Sequence, residues 1–189
     1  MIHVNPDWRT RTPRFPEELE KWVASRPEAT FYDIWDETIN PEWLPYLAQS
    51  GGATKQEIVF AACAVARLAL HLIPEGEDRP RIAIETSEAW AKGEATAEQV
   101  QGATIAAYHA VYAANAAAYA VYSAYSAYYA VYSAANTVTP AYAYAAAYAI
   151  QAGIESQLIC ATIRKHLVFE RPPRPKRLTV WQRLAEGDE

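Results

Sequence analysis

The chain has 189 residues, 51% of them hydrophobic, with a formal net charge of -5 and a pI near 5.4. A chain of this length can bury a substantial core, and its acidic balance excludes a general nucleic-acid binder, which needs a basic face to meet phosphates. Two cysteines, Cys63 and Cys160, sit in apolar runs and no secretory signal opens the sequence, so reduced, buried thiols in a cytoplasmic protein are expected.

Charge is unevenly placed. Arg9, Arg11 and Arg14 make the start basic, and Arg171, Arg174, Lys176 and Arg177 do the same near the end, with acidic residues gathered from Glu17 to Glu98. Residues 1–14 hold two prolines and no periodicity, and read as an extended arm. Pro16 suits the first turn of a short helix running to Ser25. The aromatic and acidic stretch from Thr30 to Thr38 predicts a second short helix. Asn40-Pro41 then supplies a cap and a first-turn proline for a helix carrying Trp43, Leu44 and Leu47, which Gly51-Gly52 ends.

Thr54 and Glu57 have the spacing of a capping box, in which each side chain accepts from the other's free backbone N–H. The apolar run Ile58 to Ile73 follows, and Pro74 stops it. Asp78 is placed to cap a helix that begins at Arg79-Pro80 and ends at Lys92-Gly93, with Ile82, Ala83, Ala89 and Trp90 as its apolar stripe and Glu85 and Glu88 outside. Thr96 and Gln99 form a second capping box, opening a long helix to Asn136. Thr139-Pro140 begins another, from Ala141 to about His166, and Pro172, Pro173 and Pro175 forbid helix beyond it. Thr179 to Leu184 suits a short docking turn. Alanine favours helix over strand and no stretch alternates as a strand does. The expected fold is therefore all-α: a helical bundle dominated by a long Ala/Tyr-rich antiparallel hairpin. Residues 1–53 form the arm and short helices, 54–168 the helical core, and 169–189 a Pro/Arg-rich tail.

From Gln99 to Ile154 there is no Asp, Glu, Lys or Arg, and eleven of the thirteen tyrosines lie between Tyr108 and Tyr148. Ala-Val-Tyr recurs every ten residues, ending at Tyr112, Tyr122 and Tyr132. Ten residues fall about 80° short of three turns, so these tyrosines spiral around a helix. Tyr108, Tyr112, Asn115, Tyr119, Tyr122 and Tyr129 follow a spacing close to a coiled-coil seam, with Tyr125, Tyr128 and Tyr132 on a neighbouring face. Tyrosine at this density is wrong for a membrane span, since it prefers the interface and Leu, Ile, Val and Phe are sparse. Tyrosine and alanine suit inter-helix packing, yet so many hydroxyls need partners or water, because burying one unpaired costs about 1–3 kcal/mol. Part of the set is expected at a protein interface, where tyrosine is enriched. The candidates are Tyr108, Tyr112, Tyr119, Tyr122, Tyr125, Tyr128, Tyr129 and Tyr132.

Catalytic and metal-binding signatures are not found. His3, His71 and His166 lie far apart without carboxylate or cysteine neighbours at ligand spacing, and there is no phosphate loop or nucleophile elbow. Asp33, Asp36 and Glu37 read as a solvated helix face, and Asp78 with Arg79 as a cap and surface pair. His109 reads as a packed core histidine, with a binding role as the alternative. His109, Asp78, Arg79 and Trp90 are the candidate ligand contacts, and neither metal nor cofactor is expected.

Several segments carry a resemblance in a fixed order. They are Phe60-Ala61-Ala62-Cys63-Ala64-Val65-Ala66-Arg67, the turn Asp78-Arg79-Pro80-Arg81, the pieces Ala83-Ile84-Glu85 and Glu88-Ala89-Trp90-Ala91-Lys92-Gly93-Glu94, an Ala-rich helix, and Ile163-Arg164-Lys165-His166-Leu167. The stretch from Glu57 to Leu167 resembles immunity proteins of bacterial polymorphic-toxin systems and their Ala-rich bacterial and phage relatives. Those relatives usually place Arg or Asp among the alanines, where this chain has Tyr and Ser. The resemblance implies an all-helical, non-enzymatic protein that neutralises a toxin or host effector by binding it. Two other functions fit the residues: a homo-oligomeric scaffold joined through its Ala/Tyr faces, and a protein that sequesters a small aromatic or nucleotide ligand between tyrosines. The Pro/Arg tail suits gripping an acidic surface, including that of a second copy.

Overall fold

The computed structural model describes residues 1–10, 15–113, 129 and 140–171, with side chains described for all of these except 110–113 and 140–143. The described residues form eight α-helices and one 3-10 turn, and no strand. The helices are α1 (Glu17–Ala24), α2 (Phe31–Glu37), α3 (Leu44–Ser50), α4 (Lys55–Leu68), α5 (Arg79–Ala91), α6 (Ala97–Ala113), α7 (Pro140–Gln151) and α8 (Ser156–His166), with the 3-10 turn at Leu70–Leu72. The fold is an all-α bundle, as the composition predicts. The turn of the expected hairpin, and the tail beyond Arg171, lie outside the described residues.

Helix α4 is the hub: α3, α5, α7 and α8 all pack on it, while α6 packs on α5. This explains why α4 buries Ile58, Val59, Ala61, Ala62, Cys63, Val65 and Ala66, an arc of about 200° at 100° per residue. Its start is the expected capping box, with Thr54 N–H donating to Glu57 at 2.8 Å and Glu57 N–H to Thr54 Oγ1 at 3.2 Å. Its end differs from expectation. The α-helix stops at Leu68, because Pro74 pushes Ile73 into extended backbone and the intervening residues tighten into a 3-10 turn. Cys63 and Cys160 are both free and buried.

The long helix expected from Ala141 to His166 is two helices. Gly153 adopts φ 88°, which a side chain disfavours, and completes a helix-ending loop in which Gly153 N–H donates to Ile150 O at 2.8 Å and Ile154 N–H to Ala149 O at 3.0 Å. Gly93 (φ 79°) ends α5 by the same pattern, through Trp90 O and Ala89 O. Asn40 caps a turn rather than α3 itself: its Oδ1 accepts from Glu42 N–H at 3.0 Å, and α3 starts only at Leu44. On α5 the expected stripe is partly inverted. Ile84 and Ser87 are buried and Ile82 is 53% exposed, because α5 lies between α4 and α6 and its inner arc is set by both.

The N-terminal segment is packed rather than extended into solvent. Ile2 forms a parallel bridge with Phe169, and Ile2, Trp8 and Phe169 belong to the same core cluster as the central helices. Arg9 donates to the carbonyls of Val23, Arg26 and Ala29, tying the segment to the end of α1. Arg164 does the same at the end of α2, donating to Trp35, Asp36 and Thr38 carbonyls. Both guanidinium groups meet the carbonyl-rich C-terminus of a helix, where positive charge is favoured.

Candidate functional site

Helix α6 opens with the expected Thr96/Gln99 box, in which Thr96 N–H donates to Gln99 Oε1 at 2.7 Å and Gln99 N–H to Thr96 Oγ1 at 3.3 Å. Val100, Thr104 and Ala107 recur at helical spacing and form its buried face. The Thr104 hydroxyl donates to Val100 O at 2.8 Å, so its burial leaves no unmet group. The opposite face holds Gln101, Gly102, Ile105, Tyr108 and His109, all exposed, on an arc of about 120° at 100° per residue. Glu98 in the first turn shares this arc, but none of the five is Asp, Glu, Lys or Arg, and Ile105 shows 53% of its surface. A helix face turned outward ordinarily carries charge along its length. Beyond Glu98 this one does not, and it is the candidate site.

His109 therefore sits on the outer face, with its ring 6.1 Å from Tyr108, and is not a core histidine. The reason is phase: Ala107 holds the buried position, and a residue two further along points some 200° away. The tyrosines whose side chains are described divide between two environments. Tyr129 is half-buried, stacked on Tyr148 at 5.3 Å and tilted against Tyr144 at 5.1 Å, with its partners on α7. Tyr108 and Tyr144 are exposed. Burial, with Tyr144 next in effect, pushes the Tyr46 phenol above its ordinary pKa, which places α3 beside this ring group. The side chain of Tyr112, and Tyr119, Tyr122, Tyr125, Tyr128 and Tyr132 altogether, lie outside the described residues.

The other ligand-contact candidates are not gathered at one place. Asp78 and Arg79 stand at the start of α5 and Trp90 near its end, about 17 Å apart along the axis. Asp78 makes no side-chain cap, and Arg79 pairs with Glu77 rather than with it, Nε to Oε1 at 2.7 Å. Asp78 faces Arg81 at 3.9 Å instead. Trp90 lies under Lys55, whose ammonium is 5.1 Å from the ring centre. The acidic residues of α2 also have structural work. The Thr30 side chain and N–H hold the Asp33 carboxyl below the usual carboxylate range, a capping box that the sequence reading did not recognise. Asp36 takes Arg171 at 2.6 Å and Glu37 faces Arg26 at 3.5 Å.

Two further features were not anticipated. Arg67 meets Glu88 in a two-pronged pair, Nε–Oε1 2.7 Å and Nη2–Oε2 2.8 Å, so Glu88 faces α4 and is not outside. Phe60 stacks edge-on with His166 at 5.4 Å, and Lys92 reaches the Phe60 ring at 5.7 Å. The segments around Phe60–Arg67, Glu88–Lys92 and Ile163–Leu167 thus meet on one side of the bundle. At its centre, Pro45, Ile58, Ala145 and Ile163 help line an apolar cavity of about 10 Å³, too small and too apolar for a ligand. A wide, shallow depression of about 430 Å³ lies over Arg26, Glu28, Asp33 and Glu37, open to solvent. Among the described residues no group of three or more His, Cys, Asp or Glu is placed to hold a metal ion, and no helix is long and apolar enough to cross a membrane.

No family model matches the chain, and no curated protein or solved structure matches it either.

Proposed function

We propose that this is a non-catalytic binding protein that offers the outer face of α6 beyond its first turn to a protein partner. The observation behind this reading is that Ile105 and Tyr108 lie exposed on a helix face that, after Glu98 in the first turn, carries no Asp, Glu, Lys or Arg. Leaving such a face in water gains nothing, whereas covering Ile105 and the Tyr108 ring contributes roughly 25 cal/mol per Å² of apolar surface removed. The specific version is an immunity-type role in which the partner is a toxin or host effector, neutralised by occlusion. It rests on the resemblance, whose motif segments meet through Arg67–Glu88 and the Lys92–Phe60–His166 contacts.

The second reading is self-assembly, favoured by the same exposed Ile105. Light scattering across a hundredfold concentration range, on wild type and on Ile105→Asp/Tyr108→Glu, separates the two. A monomer in both samples is expected, together with a co-purifying partner that binds wild type and is lost from the variant. An oligomer that the variant dissociates replaces the immunity reading with the scaffold. A monomer whose partners are the same with and without the two substitutions removes α6 from the site altogether.

A further inference from the structure

We propose that residues 1–10 and 168–171 form a single latch, which opens as one unit while the helical core stays folded and uncovers an aromatic cluster beneath it. Ile2 N–H donates to Val168 O and Glu170 N–H donates to Ile2 O, both at 2.8 Å. His3 Nδ1 lies 2.8 Å from the Glu170 carboxylate, and the Tyr32 hydroxyl donates to Glu170 O. Arg171 then clamps the outgoing chain, donating to both oxygens of Asp36 with its guanidinium 5.6 Å from the Tyr32 ring centre.

The cluster below is held by both segments. Phe169 packs on Phe31 at 4.7 Å and on Trp35 at 5.0 Å, and Trp8 meets Phe31 edge-on at 5.5 Å. Asn5 N–H donates to Gly51 O at 3.0 Å, at the point where the Phe31 and Phe169 rings converge. Withdrawing Phe169 therefore removes the support of Phe31, and Phe31 supports Trp8. The polar clasps are exposed: His3 and Arg171 show 87% and 57% of their side chains. Such pairs hold weakly in water. The unit is small: besides the buried Ile2, Trp8 and Phe169 and the Arg9 bonds to the carbonyls of Val23, Arg26 and Ala29, it is closed by one bridge and weak ion pairs, and it opens at a free energy below that of the whole fold. Anything that takes hold of the chain beyond Arg171 pulls on this latch and bares Phe31 and Trp35.

The test is native-state amide hydrogen exchange on the full chain, with Arg171→Ala as the mild variant and Phe169→Ala as the strong one. The amides of Glu170, Asn5 and Trp8 should exchange faster together, roughly 1.5-fold to fivefold in Arg171→Ala and more in Phe169→Ala. Amides of α4 from Val59 to Val65 should open at a higher free energy than these three and with a steeper dependence on low urea. Faster exchange at Glu170 with Asn5 and Trp8 unchanged in both variants means that the ends open separately, and overturns the proposal. Latch and α4 amides that open at the same free energy with the same urea dependence overturn it too, since the opening would then be global.

Discussion

Substituting Gly51→Ala adds one methyl group at a point where the backbone is ordinary, with φ at -67°. Replacing glycine there ordinarily stabilises by about 0.4–1 kcal/mol, because the unfolded chain loses freedom. The tertiary surroundings reverse that sign. The new Cβ would stand 2.5 Å from Phe31 Cζ, 2.7 Å from Phe31 Cε2 and 3.0 Å from Phe169 Cε1. Carbon atoms rest at about 3.5–4.0 Å, so the Phe31 ring must retreat by roughly 1 Å. It has little room to do so, flanked by Trp8, Tyr32, Trp35 and Phe169 with ring centres 4.7–6.0 Å away. Overpacking of this kind costs about 1–3 kcal/mol, and the net expectation is a loss of roughly 1–2 kcal/mol. Urea unfolding followed by tryptophan fluorescence reads this as a lower midpoint at unchanged slope. Gly102→Ala serves as the contrast, since nothing lies within 4 Å of its Cβ and it sits inside α6. There the same change should stabilise by about 0.5–1 kcal/mol. Placing Gly51→Ala in a Phe31→Leu background should recover part of the loss. A Gly51→Ala protein as stable as wild type, with no coupling to Phe31, would refute the claim that the aromatic cluster is closely packed.

Burial, and then Lys165, push His166 below its ordinary pKa of 6.5. The unfolded chain thus binds more protons just below pH 6.5, stability falls as pH drops through that value, and His166→Gln should flatten the urea midpoint between pH 7 and pH 5.5. The Arg67–Glu88 pair should show a coupling of about 1 kcal/mol in a double-mutant cycle with Arg67→Met and Glu88→Gln, and a coupling near zero would mean the geometry contributes nothing. Cys63 is fully buried, and burial raises its thiol far above the ordinary value, so it should resist alkylation at pH 8 until the protein unfolds. Rapid modification of Cys63 in the native protein would contradict the packing of α4.

Much of the helix pattern was legible because its signals are local. Thr54 with Glu57 and Thr96 with Gln99 satisfy backbone donors three residues away, and that geometry is written in the spacing alone. The same rule covers Thr30 with Asp33, whose carboxylate accepts from the Thr30 N–H at 2.8 Å. Gly153 ends α7 by an equally local device, yet the alanine-rich run on both sides reads as one helix until the φ of 88° is seen. Facing was harder. Ile82 and Ile84 are two residues apart on opposite sides of α5, and periodicity has no means to rank them when Ala89 falls on one side and Ala91 on the other.

The sequence by itself determined the all-α class, most helix starts, and the absence of charge on α6 from Gln99 onward that marks the candidate site. These depend on residue type and short spacing, which act within a few turns of chain. Only the tertiary structure decided that the first residues close the core against Phe169, that Arg164 caps α2 across more than a hundred residues, and that Glu88 turns inward to Arg67. It also decided that Tyr129 is packed on Tyr148 while Tyr108 faces out. Each of these is a choice between surfaces that look alike along the chain, and it is made by which helix lies opposite once α4 has gathered its neighbours.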